Sequence, residues 1–263
     1  MGHHFIGTSG WSYPWKGIFY PEELKSKDYL SYYSTRFLTV EVNSSFYHMT
    51  RPSTVLKWYQ ETPHNFRFAL KMHKSITHLK RLENIENEVA TQMNSFLLLK
   101  EKLGPVLIQL PASLKYNPEY EDFFSFLRKK YPAVIFALEA RNTTWFDCSV
   151  QEMLEKYSLS WVIADAGDRF PQKEMSTSNE IYLRFHGVEK LYSSSYSDEK
   201  LSLYAEKISM WLQSGKRVWI FFNNTMNGAA VKNAFTIESM IHSFGDKFKL
   251  ATFCCDYSFL FVE

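Results

Sequence analysis

Eight short apolar runs recur along the chain, each followed by a longer stretch, and this alternation constrains the fold more than any other feature. The runs occupy residues 5–10, 38–43, 66–72, 105–110, 134–140, 159–165, 181–187 and 217–223. Most are apolar on both faces, the pattern of parallel strands covered from two sides. Helical periodicity lies between and after them, at 28–37, 53–61, 84–103, 118–130, 150–157, 198–214 and 229–244, with Pro52 and Pro118 as helix-start signals. Strand–helix alternation forces crossover connections and hence a parallel sheet, and eight such strands close on themselves. The expected fold class is α/β: a single, irregular (β/α)8 TIM-type barrel, residues 1–263 forming one domain. Its sixth helix is expected to be missing, because "AGDRFPQKEMSTSNE" (166–180) is polar, contains Pro171 and reads as a loop. An open doubly wound sheet is the competitor. Against it, "GTSGW" after the first run lacks the glycine spacing of a dinucleotide turn, and no other nucleotide-cofactor motif occurs.

Composition narrows the function classes. Hydrophobic residues make up 45% and charged residues 22%, so the chain buries a core, and an aromatic content of 17% leaves rings to line a surface. A net charge of +2 gives little global attraction to polyanions, so affinity for nucleic acid or phosphate has to come from a local cluster. Cys148, Cys254 and Cys255 show neither metal-ligand spacing nor a disulfide framework, which fits a reducing compartment. The start lacks signal-peptide character and no apolar run reaches the ~20 residues of a membrane span. A soluble cytoplasmic protein is expected, without a membrane partner; protein partners stay open. The tail "LATFCCDYSFLFVE" is apolar enough to pack on the body.

Why a strand such as "YLRFHG" should end with Arg184 and His186 on one face is answered by recurrence. Polar residues stand near the C-terminal end of almost every run: Glu41 and Asn43, Lys71 and His73, Gln109, Glu139 and Arg141, Asp165, Arg184 and His186, Asn223. A barrel gathers those ends into one mouth, where active sites of this fold lie. The structural alternative is an ion-pair network in which Glu41, Glu139 and Asp165 neutralise Lys71, Arg141 and Arg184. Further donors follow in "HKSITHLKR" (73–81), whose plain reading is a solvated loop. Asn223 and Asn224 precede a helix start near Gly228, where free N–H groups receive an anion or Asn227 simply caps the helix. Trp11, Tyr13, Trp15, Phe46, Tyr47, Trp145, Phe146, Tyr192 and Tyr196 fall in the same loops, either stacking on bases or sugars or forming loop cores; Tyr192 and Tyr196, in a Ser-rich stretch, look ligand-facing.

The chain resembles the domain-of-unknown-function 72 family, also called YecE-like. The resemblance rests on "IGTSGWSYPWKGIFYPEEL", "TVEVNSSFYHM", "FRFALKMHKSITHLKRL", "GPVLIQLP", "YLRFHG" and "FFNNTMNGAAVKNA", spread over nearly the whole length. It implies a (β/α)8-type barrel of unsettled biochemical function. A distant likeness of such barrels to endonuclease IV implies a role in nucleic-acid processing by fold analogy alone. Where the family carries Glu-Phe-Arg-His and a Ser-Trp pair, "EARNTTW" keeps Glu139, Arg141 and Trp145 but has Asn142 for the histidine.

Three functions remain open. The first is binding, and hydrolysis, of a phosphate ester, nucleic acid included: Arg141, Arg184, Lys71 and His186 hold the anion, Glu139 or Asp165 acts as base and His186 as acid. Glu41, Asn43, His73, Gln109, Tyr192, Tyr196, Asn223 and Asn224 complete the ligand contacts. The second is glycoside hydrolysis by two of Glu41, Glu139 and Asp165. The third is a non-catalytic module that binds nucleic acid or a metabolite. No metal is required, since only His73 and His186 stand at plausible strand ends, far from a multi-zinc array.

Overall fold

The computed structural model describes residues 2–257, with side chains up to residue 245. Eight parallel strands form one sheet: β1 (His4–Thr8), β2 (Thr39–Val42), β3 (Arg67–Lys71), β4 (Leu103–Gln109), β5 (Phe136–Glu139), β6 (Ser160–Asp165), β7 (Glu180–Phe185) and β8 (Arg217–Phe222). Their spatial order is β1-β8-β7-β6-β5-β4-β3-β2, so every consecutive pair from β2 to β8 lies side by side and β1 pairs with β8. Helices α1 (Tyr29–Tyr33), α2 (Ser44–Tyr47), α3 (Pro52–Glu61), α4 (Glu86–Phe96), α5 (Glu121–Lys130), α6 (Cys148–Lys156), α7 (Asp198–Gln213) and α8 (Ala229–Tyr257) fill the connections. This is the α/β TIM-like barrel that the alternation requires.

Local chemistry sets the helix starts. Pro52 opens α3, the Asp147 carboxylate accepts the Ser149 N–H at α6, and the Ser197 hydroxyl accepts the Lys200 N–H at α7. No helix stands between β6 and β7: polar residues 166–179 cannot bury a helical face, and the chain crosses as a loop. The segment expected to be helical over 84–103 is α4 followed by a 3-10 turn, Leu97–Lys102, because β4 already begins at Leu103. Cys148 is exposed. Cys254, Cys255 and the packing of the tail lie outside the residues whose side chains are described. Among the described residues no helix is long and apolar enough to cross a membrane.

Two cores result. One fills the space between strands and helices, and the other occupies the interior with Ala69, Leu107, Ala137, Val162, Tyr182, Trp219 and Phe221. Phe5 stacks on Trp219 at a centroid distance of 4.2 Å and an interplanar angle of 10°, closing the end opposite the mouth. The interior is packed, not open, and places every inward residue of the next layer at the mouth.

Closure is completed by a side chain. The paired strands do not include β1 with β2; instead the Tyr33 hydroxyl accepts the Thr8 N–H at 2.8 Å and donates to the Thr39 carbonyl at 3.1 Å. It thereby satisfies two buried backbone groups that a ladder would otherwise pair. Burial raises the Tyr33 phenol well above its ordinary value, so it stays protonated and keeps that donor. Tyr33→Phe is expected to lose about 1–2 kcal/mol in urea unfolding, with faster amide exchange at Thr8. Unchanged exchange would show that the bridge does not hold the seam.

Candidate functional site at the barrel mouth

The mouth is built two residues above the apolar interior layer. Ala69, Leu107, Ala137, Tyr182 and Phe221 face inward, so the period of two sends Lys71, Gln109, Glu139, Arg184 and Asn223 inward above them. Glu41 rises from β2 beside these groups and is fully buried.

Arg184 organises the cluster. Its Nε and Nη2 donate to Glu41 Oε2 and Oε1, both at 2.8 Å, while Nη1 donates to Glu139 Oε2. Glu41 also accepts from Tyr182 Oη at 2.8 Å, Ser9 Oγ at 2.7 Å and Asn43 Nδ2 at 3.0 Å. Glu139 accepts from Arg141 Nε at 2.9 Å and from Gln109 Nε2 at 2.7 Å. Gln109 in turn accepts the Lys71 ammonium at 2.5 Å, and that ammonium stands 4.1 Å above the Phe46 ring centre.

Burial alone would raise both carboxyls. For Glu41 the Arg184 guanidinium and the Ser9 and Tyr182 donors override it and hold the group below its usual range. For Glu139 the guanidiniums of Arg184 and Arg141 hold it well below. Cationic groups respond oppositely. Burial, reinforced by Arg184, brings Lys71 down to about 7 and His186 down to about 3. Burial and then Lys71 and Arg141 bring His78 down to about 4. At neutral pH both imidazoles are uncharged and Lys71 is near its titration midpoint.

Two guanidiniums, Arg141 and Arg184, and the partly protonated Lys71 amine therefore meet two carboxylates. Arg184 is saturated by them and only 2% exposed, whereas Arg141 uses Nε alone and lays its guanidinium over the Phe170 ring, 4.0 Å from the centre. Asn223 Nδ2 lies 3.0 Å from His186 Nδ1; with the amide donating, the ring proton sits on Nε2. That Nε2 is buried and has no partner among the described residues, and the same is true of Asn43 Oδ1. Such orphans are uncommon in folded proteins, and Glu88 Oε2 and Asn224 Oδ1 are the others among the described residues. A cleft of about 240 Å³, lined by Trp11, Tyr13, Asn43 and Ser44 among others, opens beside Glu41.

Several expected ligand contacts take other roles. Asp165 points away from the mouth: its Oδ2 accepts from Tyr204 at 2.7 Å and from Lys200 at 2.8 Å, both on α7. The inward face of β6 is Val162 and Ala164 instead. In "LSWVIAD" both faces are apolar between Ser160 and the last residue, so the run does not reveal which face is inward. Tyr196 is buried, accepting the Gly187 N–H and donating to the Asp165 carbonyl. Asn224 donates to the Ser194 carbonyl and to Asn233, tying the loop after β7 to α8. His73 closes a local turn with Ser75, with Lys74 and His48 nearby. Asn227 adopts φ +56 rather than a cap conformation, and Met226 N–H is taken by the Tyr192 carbonyl. Lys80 pairs with Glu88, and Arg81 donates to the Ser113 carbonyl. Asn142 caps the short turn Thr143–Phe146 and donates to the Ala112 carbonyl at 2.8 Å. Trp15 and Trp145 are loop core, donating to the Thr225 and Leu114 carbonyls. Tyr192 is exposed at the rim, its ring edge-on to His186.

Ser9, Tyr182, Phe46 and Phe170 join the cluster without having been singled out as contacts of these charges. Tyr182 has a sequence signal, since it shares the parity of Arg184 and His186. Phe170 has none: the loop that replaces the sixth helix carries it over Arg141 and within 6.1 Å of the His186 ring.

Residues 5–252 match the family model described as "Protein of unknown function DUF72". This chain belongs to the DUF72 family. It is 25% identical over 261 residues to the UPF0759 protein YunF of Bacillus subtilis (strain 168), covering 87% of this chain and 91% of that one. It is 24% identical over 238 residues to the UPF0759 protein YecE of Escherichia coli (strain K12), covering 80% and 82%. Among solved structures, a DUF72 family protein from Thermotoga maritima MSB8 superposes with a TM-score of 0.81 at 28% identity, covering 91% of this chain and 99% of that one. A DUF72 family protein from Enterococcus faecalis V583 gives 0.79 at 21% identity, covering 91% and 95%. The DUF72 barrel is thus common to chains that share about a quarter of their residues or fewer.

Proposed function

We propose that the mouth binds a phosphate-bearing ligand, with nucleic acid the leading class, and that it hydrolyses a phosphate ester there. The observation that carries the reading is that two guanidiniums balance the two buried carboxylates and the Lys71 amine, when protonated, adds a positive charge beyond that balance, combined with a donor, His186 Nε2, that has no partner among the described residues. Arg141, with two guanidinium nitrogens uncommitted, and the Lys71 ammonium supply the attraction, and Nε2–H adds a directed hydrogen bond. The aromatic cleft at Trp11 and Tyr13 offers a stacking surface beside it.

Proton transfer falls to Lys71 rather than Glu139. A carboxylate held by two guanidiniums and an amide gains little by accepting a proton, whereas an amine brought to about 7 exchanges one readily at neutral pH. Glycoside hydrolysis is disfavoured for the same reason. Its general acid needs a raised carboxyl pKa, and both Glu41 and Glu139 are pinned to Arg184 and lowered.

Calorimetric titration with a short oligonucleotide lacking terminal phosphates tests the reading, because the ligand's charge is then constant from pH 6 to 9. Binding is expected to weaken above pH 7, by up to about tenfold per pH unit, as Lys71 loses its proton. Arg141→Ala is expected to lose about 10- to 100-fold in affinity. Affinity indifferent to both pH and Arg141 would remove the proposal; pH-dependent binding without turnover of a phosphate ester would leave a binding module.

A further inference from the structure

The end of the barrel remote from the mouth holds a second cluster with different chemistry. His4 opens β1 there, and α8 packs along that strand after descending from the mouth. Glu238 and His242 are four residues apart on α8, one turn, so their side chains share a face. One ligand atom from each of His4, Glu238 and His242 lies within 4.8 Å of the other two. The two imidazoles meet edge-on, with ring centres 5.9 Å apart. Among the described residues, none of the three side chains makes a hydrogen bond or ion pair with any other residue.

We propose that His4, Glu238 and His242 form a divalent-cation site of the zinc class that fastens the first strand to the last helix. Each of the three brings a lone pair, and among the described residues no lysine or arginine pairs with any of them. Two imidazoles with one carboxylate are a zinc donor set, leaving remaining positions to water; magnesium and calcium favour oxygen ligands alone. Zinc bonds of about 2.0–2.1 Å would draw the three donors to about 3.3 Å from one another, a closure that side-chain rotation on an exposed His242 and a half-buried Glu238 supplies.

The location assigns the role. This face of the barrel serves stability in the fold, and a metal here joins elements more than 230 residues apart in sequence, an approximate separation that makes the closed loop entropically costly to form without it. The site does not depend on the reading of the mouth.

Zinc titration of the full chain, followed by calorimetry and thermal melting, tests the assignment. One equivalent of Zn2+ is expected to bind, and at about 100 times its Kd to raise the melting midpoint by roughly 5–10 °C, while Mg2+ leaves it unchanged. His242→Ala, on an exposed side chain that does not threaten folding, and Glu238→Gln are each expected to weaken zinc at least about tenfold and abolish the shift. Arg141→Ala is expected to leave zinc binding as it was. Failure of the native chain to bind zinc, a His242→Ala variant that binds it equally well, or an equal shift with Mg2+ would each overturn the site.

Discussion

Replacing Arg184 with methionine is expected to lower folding stability by about 3–5 kcal/mol at pH 7, the range for breaking a buried pair from one side. The reason lies in what remains. Glu41 and Glu139 are both fully buried and both owe their ionised state to this one guanidinium, with Arg141 assisting only at Glu139. Methionine matches much of the volume, so loss of charge rather than loss of packing dominates. The pH dependence separates the two. In the native protein both carboxyls titrate below their unfolded value, so their contribution is present above about 4.5 and lost as pH falls through the lowered folded values. In the variant the folded values rise above the unfolded ones, and protonation then relieves the buried charge. The difference between the two proteins in urea is therefore expected to shrink from pH 7 to pH 4. A difference independent of pH would show that Arg184 acts by packing alone.

Gly7→Ala is expected to cost about 3 kcal/mol, at the upper end of what overpacking usually brings. A Cβ at that position would sit 2.1 Å from the Thr39 carbonyl oxygen and 3.0 Å from the Tyr33 hydroxyl. The first of these is strand backbone and cannot rotate aside, so β1 and β2 must separate and the Tyr33 bridge must lengthen. Glycine is required here by the close approach of two strands, not by its freedom in φ. Urea unfolding together with amide exchange at Thr8 checks the result: both should move. A neutral substitution would mean that the seam yields without loss and that closure between β1 and β2 contributes little to stability.

How legible the molecule is from its sequence depends on whether a residue's role is set locally. The eight strands and the loop at 166–180 follow from periodicity, because a buried parallel strand, an amphipathic helix and a polar proline-containing connection differ in which positions are apolar. Glu41, Lys71, Gln109, Glu139 and Arg184 were recognisable as one set because each interrupts an apolar run near its C-terminal end. Asp165 does so too, yet faces α7, since a run with both faces apolar carries no record of which is inside. Tyr196 and Asn224 sit in loops whose composition suits a ligand and whose buried partners, Asp165 and Asn233, are brought by the fold.

What the amino-acid sequence determined by itself was the architecture and the stock of ionisable groups at the strand ends, since side-chain alternation along a strand is a property of the local backbone. Tertiary structure alone decided which charges cancel and which stay available. Arg184 is spent on two carboxylates, Arg141 and Lys71 keep capacity, and His186 and Phe170 meet across a loop. Those outcomes depend on distances between residues remote in the chain and on how much water reaches each, and neither quantity exists until the barrel has closed.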